Sequence, residues 1–313
     1  MARLDQRLPT NVAGDFFVDG SCIACDTCRR VDPATFGGGE DDTSFVARQP
    51  TTAGERHRAL MALVACPVSA IGTASKHGAE AAAAARAFPE PLAPGDDDVY
   101  ACGYAAESSF GAASWLVVRP GGNVLVDAPR FARPLLARIR ELGGVRWLFL
   151  THRDDVADHA RWAEALGCER VLHARDVTSG TRKVERQLEG DQPIVLEDDL
   201  LAIPVPGHTP GSTALLYTRR RGTSPRPTDL GADPMARDLF TGDHLWGDAA
   251  GRLGASRSVC WWDWGSQTRS MERLLDHRFQ RVLPGHGRPW QAATAAAARA
   301  ALVELVAAMR RRA

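Results

Sequence analysis

Lysine is almost missing from this sequence. Lys76 and Lys183 are the only two, and every other basic side chain of this kind is an arginine. Alongside so much alanine, that bias is compositional. Net charge is missing too: 38 basic residues cancel 38 acidic ones, so nothing favours electrostatic capture of nucleic acid or of an anionic membrane. No run approaches the roughly 18 apolar residues that a membrane span needs. The alanine-rich tracts at 80–87 and 292–302 are short or broken by arginine. The first ten residues carry no apolar stretch of the secretory type. There is no internal repeat. A disulfide framework is also lacking: seven cysteines is an odd count, and four of them stand in a metal-type spacing. Together these absences lead us to expect a protein of the reducing cytoplasm. What remains is ordinary for a globular chain, 44% apolar and 24% charged over 313 residues. That length suffices for two domains, each with a core of its own.

The cysteines mark the first domain. Cys22, Cys25 and Cys28 are spaced by three, and Cys66-Pro67 follows far downstream. Three cysteines so close together spread poorly around a tetrahedral zinc but suit one face of a cubane cluster, closed by a distant fourth ligand. The proline after Cys66 has no N–H and turns the chain away. Residues 53–65 have helical character, with Leu60, Leu63 and Val64 on one side, and would return Cys66 to the first loop. A structural zinc site with four cysteine ligands is the alternative. The segments VDGSCIACDTCRRVDPATF and ACPVSAIG resemble the single-cluster [4Fe-4S] ferredoxins over residues 14–75. The resemblance implies a ferredoxin-like α+β fold and a cluster on those four cysteines. Residues 79–98 shift to alanine, then to prolines and an acidic run, and predict a linker with a domain boundary near 95, giving domains at 1–95 and 96–313.

From Tyr100 onward the texture is strands with intervening helices. Residues 114–127 predict a hairpin turning at Pro120-Gly-Gly-Asn, and 134–142 a helix stopped at Gly143-Gly144. Apolar runs at 145–150, 169–173, 200–208, 213–217, 239–243 and 281–286 predict strands. A helix is expected over 158–166 and another over 291–312, with Arg219–Arg237 as a polar, Pro/Gly-rich loop and its Arg219–Arg221 run as a solvated hairpin loop.

Polar residues gather just past several of these strands. Thr151-His-Arg-Asp-Asp-Val-Ala-Asp-His159 packs two histidines and three aspartates into nine residues. Asp127, His208, Asp243 and His286 follow other apolar runs. Strand ends that project ligands to one edge are a common way for an α/β scaffold to assemble a site from distant sequence. Alone, each histidine could simply cap a strand.

The phrases LFLTH…DH, PVPGHTPGS, LFTGD and VLPGHG occur in this order and resemble the metallo-β-lactamase fold superfamily across residues 100–290. The resemblance implies a four-layer αββα sandwich with metals at one edge. Its first motif reads Thr-His-x-His-x-Asp-His. Here Thr151-His152 and Asp158-His159 match the ends, two residues are inserted, and Asp154 stands in place of the second histidine. One metal would then take His152, Asp154 and His208, and another Asp158, His159 and His286, bridged by Asp243. Asp155 is the alternative to Asp154 or a supporting residue, and Asp127 supports rather than binds. Asp158 is the candidate base.

The implied function is a metal-dependent hydrolase of thioesters, lactones or esters using metal-bound hydroxide, with zinc, iron or manganese as cofactor beside the [4Fe-4S] cluster. Two histidines and a carboxylate also suit non-haem iron, and flavodiiron proteins share an acidic residue at that position. The alternatives are therefore an iron-dependent oxidoreductase fed by the cluster, or a redox-sensing or electron-transfer protein whose hydrolase-like domain is not catalytic. Expected partners are a small-molecule substrate and an electron donor or acceptor protein, with no nucleic acid and no membrane. His173, Cys102, Cys168 and Cys260 are expected to be structural. His244 beside Asp243, and the Cys260-Trp-Trp-Asp-Trp264 cluster, are expected in the core, with a pocket wall as the alternative.

Overall fold

Alternating apolar residues along the chain fold, in a computed structural model describing residues 2–219 and 237–311, into two compact units. The first comprises residues 1–148 and 156–168, the second residues 149–155 and 169–313.

In the first unit, β1 (Phe16–Val18) pairs antiparallel with β4 (Ile71–Thr73), and β2 (Phe36–Gly38) with β3 (Ser44–Val46). Helix α1 (Thr27–Val31) leads out of the cysteine loop, and α2 (Ala53–Ala65) ends at Cys66. The start of α2 is fixed by a capping box. Thr52 accepts from the Glu55 N–H, and the Glu55 carboxylate accepts from the Thr52 N–H, so two orphan donors of the first turn are satisfied. Its buried face is Ala59 to Ala62 with Ala65; Leu60 is inside, while Leu63 and Val64 are only half-buried.

The alanine-rich stretch after 78 is folded. It forms α3 (Gly78–Arg86), packed on α2. The proline segment contributes β5 (Glu90–Pro91), which pairs with β6 (Val99–Ala101). The change of composition near 95 thus falls in a turn inside one compact unit. Strands β7 (Trp115–Val117) and β8 (Val124–Val126) continue the antiparallel ladder, with Trp115 opposite Val126. The hairpin expected at 114–127 is present. Helix α4 (Arg133–Glu141) stops at Gly143 and Gly144, both left-handed, whose N–H groups reach the Arg140 and Ile139 carbonyls. Helix α5 (His159–Leu166) completes the unit.

Strand β9 (Trp147–Phe149) runs up to the short 149–155 segment that belongs to the second unit. There β10 (Glu169–His173) and β11 (Arg186–Leu188) run parallel. A six-stranded sheet is ordered β12 (Ile194–Glu197), β13 (Leu200–Pro204), β14 (Thr213–Thr218), β15 (Arg237–Gly242), β18 (Arg281–Pro284) and β19 (Trp290–Gln291), with a small ladder of β16 (Trp246–Gly247) and β17 (Leu253–Gly254) beside it. Its four inner strands, β13, β14, β15 and β18, are buried almost throughout, which explains their near-continuous apolar runs. Ile203, Leu216, Leu239 and Val282 meet Met271 of α6 (Trp264–Arg273) and Leu302 and Val306 of α7 (Ala295–Arg310). Arg219 departs from the solvated loop expected of it. With Arg281 it clamps the buried Asp238 carboxylate, each at 2.7 Å. The rest of that loop, 220–236, lies outside the described residues.

Strand direction prepares the site. β13 and β15 both lie antiparallel to β14, so they point the same way, and β18 runs parallel to β15. The C-terminal ends of β13, β15 and β18 therefore share one edge, and His208, Asp243 and His286 follow those ends.

Candidate functional site

The first unit gathers its four cysteines around one cavity. Cys22, Cys25, Cys28 and Cys66 line it, with Val18, Ile23, Val68 and Ile71 as apolar walls. Cys66 Sγ lies 3.3 Å from the Ala70 N–H and also accepts from the N–H groups of Val68 and Ile71. Burial pushes the Cys28 thiol up to about 12. The Ser44 hydrogen bond opposes this, and the neighbouring sulfurs of Cys25, Cys66 and Cys22 add to it. Burial raises the Cys66 thiol as well, so these two sulfurs are poor free thiolates in an apolar pocket. They suit a cationic iron core, and N–H groups aimed at sulfur are characteristic of cluster ligation. The donor set fits a [4Fe-4S] cluster.

This cradle extends beyond the cysteine-bearing segment. The Gly111 carbonyl accepts from Thr27 Oγ1 at 3.0 Å and from Arg30 at 2.6 Å. Gly111 has φ +81°, and a Cβ there would stand 2.6 Å from Cys25 Cβ. Arg130 donates to the Val64 carbonyl at the end of α2 and lies over the Tyr104 ring.

In the second unit, the loop after β9 meets the shared strand edge. His152 Nε2 lies 3.9 Å from Asp154 Oδ2, 4.0 Å from Asp155 Oδ2 and 3.8 Å from Asp243 Oδ2. His208 Nε2 lies 3.4 Å from Asp154 Oδ2 and 3.7 Å from Asp243 Oδ2. The two imidazoles meet edge to face at 4.8 Å. Two sets therefore have metal-ligand spacing: His152, Asp154 and His208, and His152, Asp155 and Asp243. Both carboxylates between which the sequence left a choice are at the site. Asp154 is half-exposed and faces His208, while Asp155 is buried beside Asp243.

Each imidazole is oriented from behind. His208 Nδ1 is 2.7 Å from the Val259 carbonyl, which can only accept, so that nitrogen carries the proton and Nε2 turns its lone pair inward. His152 Nδ1 is hydrogen-bonded to Thr151 Oγ1 at 2.9 Å. Both Nε2 atoms are buried and without a hydrogen-bond partner, an expensive arrangement for imidazole nitrogens that face carboxylates. Two ligand atoms around one tetrahedral ion lie roughly 3.4 Å apart, so the spacing fits a divalent cation better than it fits hydrogen bonds.

The pKa values of the two imidazoles shift in opposite directions. Burial holds the His152 pKa below its usual value, reinforced by His208 and opposed by the aspartates, so the ring is neutral as a ligand must be. Burial pulls His208 down, but Asp154 and Asp243 outweigh it and its pKa is raised. His208, whose Nε2 faces the carboxylate at 3.4 Å, lowers Asp154. For Asp243, burial acts upward and is overcome by His286, His152 and His208, which leaves it well below the usual carboxylate range. His286 Nδ1 sits 2.8 Å from Asp243 Oδ1.

Two glycines permit this closeness. A Cβ on Gly285 would stand 2.6 Å from Asp155 Oδ2 and 2.9 Å from Asp243 Oδ1. Gly242, at φ +49°, would drive one to 2.3 Å from Thr151 Oγ1.

Asp158, His159 and Asp127 belong to the first unit. Asp158 precedes α5 without capping it, and its Oδ2 accepts from the Phe131 N–H at 2.7 Å. His159 is buried on α5, and Asp127 is buried after β8 with a left-handed backbone at φ 55°. His173 is structural as expected, bonded to the Gly190 carbonyl and the Arg175 N–H. Cys102 and Cys168 are buried. His244 is fully buried, which pushes its pKa down to about 3, helped by the charge of His208. The aromatic cluster differs from expectation: Trp264 is buried, but Trp261 and Trp262 are 64% and 47% exposed.

One residue that ties the two ligand-bearing loops together escaped the sequence. Asp176 is fully buried, accepting from the Arg153 N–H at 3.1 Å, from Thr209 Oγ1 at 2.5 Å and from the Gly211 N–H at 2.8 Å. One carboxylate thus locks the His152 loop to the His208 loop. It sits in a short 3-10 turn after β10, within no motif; only its acidity next to a predicted strand end could have flagged it.

Among known proteins, residues 18–73 match the 4Fe-4S single cluster domain of Ferredoxin I. No curated protein matches the chain. Solved structures similar to it include BJP-1, a subclass B3 metallo-β-lactamase of Bradyrhizobium japonicum, at 17% identity, covering 69% of this chain and 90% of that one with a TM-score of 0.45. DIM-1 metallo-β-lactamase is 15% identical over 69% and 95%, TM-score 0.49. A metallo-β-lactamase of Cronobacter sakazakii is 19% identical over 73% and 95%, TM-score 0.44. No helix among the described residues is long and apolar enough to cross a membrane. The chain carries a single-cluster 4Fe-4S ferredoxin region at 18–73, followed by an α/β body of sheets flanked by helices that is similar to solved metallo-β-lactamases.

Proposed function

We propose that His152, Asp154, Asp155, His208, Asp243 and His286 hold one or two divalent metal ions and that this edge hydrolyses an ester-like carbonyl of the thioester, lactone or ester class. Cys22, Cys25, Cys28 and Cys66 hold a [4Fe-4S] cluster in the same chain. The observation that carries the edge site is the pair of buried, unpartnered Nε2 atoms of His152 and His208 facing carboxylate oxygens at 3.4 to 3.9 Å. The substrate class follows the motif resemblance alone. A bound divalent cation supplies Lewis acidity and an acidified water. The chain's own groups do the rest. Val259 and Thr151 hold the imidazoles in register, and Asp176 keeps their two loops at a fixed distance. Asp154, ionised and half-exposed at the mouth, is placed to take a proton from the attacking water. Asp158 is retained as the second candidate base, and Asp158→Asn compared with Asp154→Asn separates the two. Partners are then a small-molecule substrate and an electron donor or acceptor protein. Among the described residues no two cysteines are joined in a disulfide, which suits a reducing cytoplasm.

One observation favours a second reading. The His152–Asp154–His208 set is two histidines and a carboxylate, which also suits ferrous iron. The cluster would then feed electrons to a redox centre. Anaerobic purification with counts of iron, zinc, manganese and sulfide, and EPR before and after dithionite, tests both. Roughly four iron and four sulfide per chain, with zinc besides, supports the hydrolase. Iron in excess of sulfide with a reducible signal supports the oxidoreductase. A chain without sulfide would refute the cluster.

A further inference from the structure

The loop Ser256–Asp263 is held against His208 with unusual care, yet it displays its largest side chains to solvent. The Val259 carbonyl accepts a hydrogen bond from His208 Nδ1 at 2.7 Å. Cys260 Sγ donates to the Gly207 carbonyl at 3.1 Å and accepts from the N–H groups of Trp262 and Asp263. The Asp263 N–H reaches the same Gly207 carbonyl at 3.0 Å, and the Asp263 carboxylate caps α6. A Cβ on Gly207 would stand 2.3 Å from Gln267 on that helix, so the His208 loop, the tryptophan loop and α6 are fitted together closely. Within this frame the Trp261 ring lies 6.1 Å from the His208 ring, edge to face, while 64% exposed.

A rigid loop that leaves an indole in water beside a metal-ligand histidine costs apolar hydration that core burial of Trp261 would have avoided. An indole held at one edge of a polar site is a surface for a flat apolar group, because ring stacking adds to area burial and loses few rotors. We propose that Trp261 is a specificity-determining wall of the edge site, and that the substrate carries an aromatic or similarly flat apolar group next to its reacting carbonyl. This rests on the hydrolytic reading above for the identity of the reacting group, but not for the wall itself.

Isothermal titration of the full-length, zinc-loaded chain tests it with two matched probe pairs. Acetate and 4-phenylbutyrate are the anionic pair; acetamide and 4-phenylbutanamide are the neutral pair. The phenyl member of each pair is expected to bind roughly tenfold more tightly than the methyl member. Trp261→Ala should bring that ratio close to one, and Trp261→Phe should restore most of it. Unchanged cluster absorbance and unchanged zinc content in the variants establish that the fold persists. A ratio near one in the unaltered protein, or a ratio untouched by Trp261→Ala, overturns the proposal. A ratio that depends on Trp261 in a chain that turns over no phenyl ester upholds the wall while overturning the hydrolase reading.

Discussion

The cysteine cavity and the histidine–aspartate edge gather potential metal donors in opposite ways. The cavity is apolar, and all four of its protein donors are sulfurs in one compact unit. Three of them come from seven consecutive residues. The edge is polar, drawn from four separated segments, and one of its carboxylates, Asp154, opens to solvent. A closed set of soft donors suits electron storage, because four thiolates leave an iron–sulfur core no vacant protein-side position. An edge of mixed, harder donors with an exposed mouth suits substrate access. The two donor sets thus differ both in hardness and in how far they open to solvent.

The largest expected effects come from removing one donor on each side. Cys66→Ala should abolish most iron and sulfide while leaving the edge metal. His208→Ala should weaken edge metal binding by at least about 100-fold and leave sulfide unchanged. Metal and sulfide analysis of both variants checks this crossed pattern. Loss of both metals in either variant would erase the distinction between the regions.

The glycines sharpen the comparison. Each region rests a ligand against a residue that cannot bear a Cβ: Gly111 beneath Cys25 and Gly285 beneath Asp155 and Asp243. Gly111 is also left-handed, so Gly111→Ala adds backbone strain to the clash. It should lose most of the cluster although it lies well outside the 18–73 ferredoxin match. Gly285→Ala should displace two carboxylates and lower edge metal affinity, with sulfide unchanged. A full cluster in Gly111→Ala would mean that the cysteine loop stands independently of the segment that follows it.

A smaller effect is expected at Asp176, which touches no candidate ligand side chain but ties together the two loops that bear His152 and His208. Asp176→Ala should cost roughly 10- to 100-fold in edge metal affinity. Asp176→Asn, which keeps the size and one acceptor oxygen, should recover part of it. Competition with a chromophoric chelator measures both. Equal affinities in Asp176→Ala and the unaltered chain would reduce Asp176 to packing.

What was legible in the sequence follows the same divide. Cys22, Cys25 and Cys28 lie within one short loop, so local spacing alone announced their geometry, and strand-end phrases announced His208, Asp243 and His286. Neither Gly111 nor Asp176 could be read that way. Their roles depend on contacts 86 and 35 positions along the chain, Gly111 with Cys25 and Asp176 with Gly211, and contact at such separation has no local pattern. The proline-rich stretch misled for a related reason. Its composition disfavours regular structure, yet β5 needs only two residues, Glu90 and Pro91, because β6 supplies the pairing. Trp261 and Trp262 were expected inside because tryptophan is usually buried on average; the loop that bears them is instead tied to the Gly207 carbonyl through Cys260 and Asp263.

The smallest effect concerns what a histidine is for in each region. At the edge, His152 is buried and kept neutral, its Nε2 turned to a ligand position. In the first unit, His77 has both nitrogens engaged by carboxylates, Nε2 with Asp15 at 2.6 Å and Nδ1 with Glu80 at 2.7 Å. The hydrogen bonds to Asp15 and Glu80 raise its pKa above 6.5. A raised folded pKa gives stability that is fully present below the unfolded value and is lost as pH rises through the folded one. The two carboxylates are lowered, each with a His77 hydrogen bond among the causes, although burial opposes this at Asp15. Their share is present above their unfolded pKa values and is lost as pH falls through the folded ones. The contribution should therefore peak on the order of pH 5 to 6 and fade above about pH 7. Because the site is partly solvated, the effect should be a small one, read as the difference in Tm between the unaltered chain and His77→Gln across pH 4.5 to 8.5. A difference that does not change with pH would show that His77 acts here as a neutral hydrogen-bonding residue and would remove the contrast with His152.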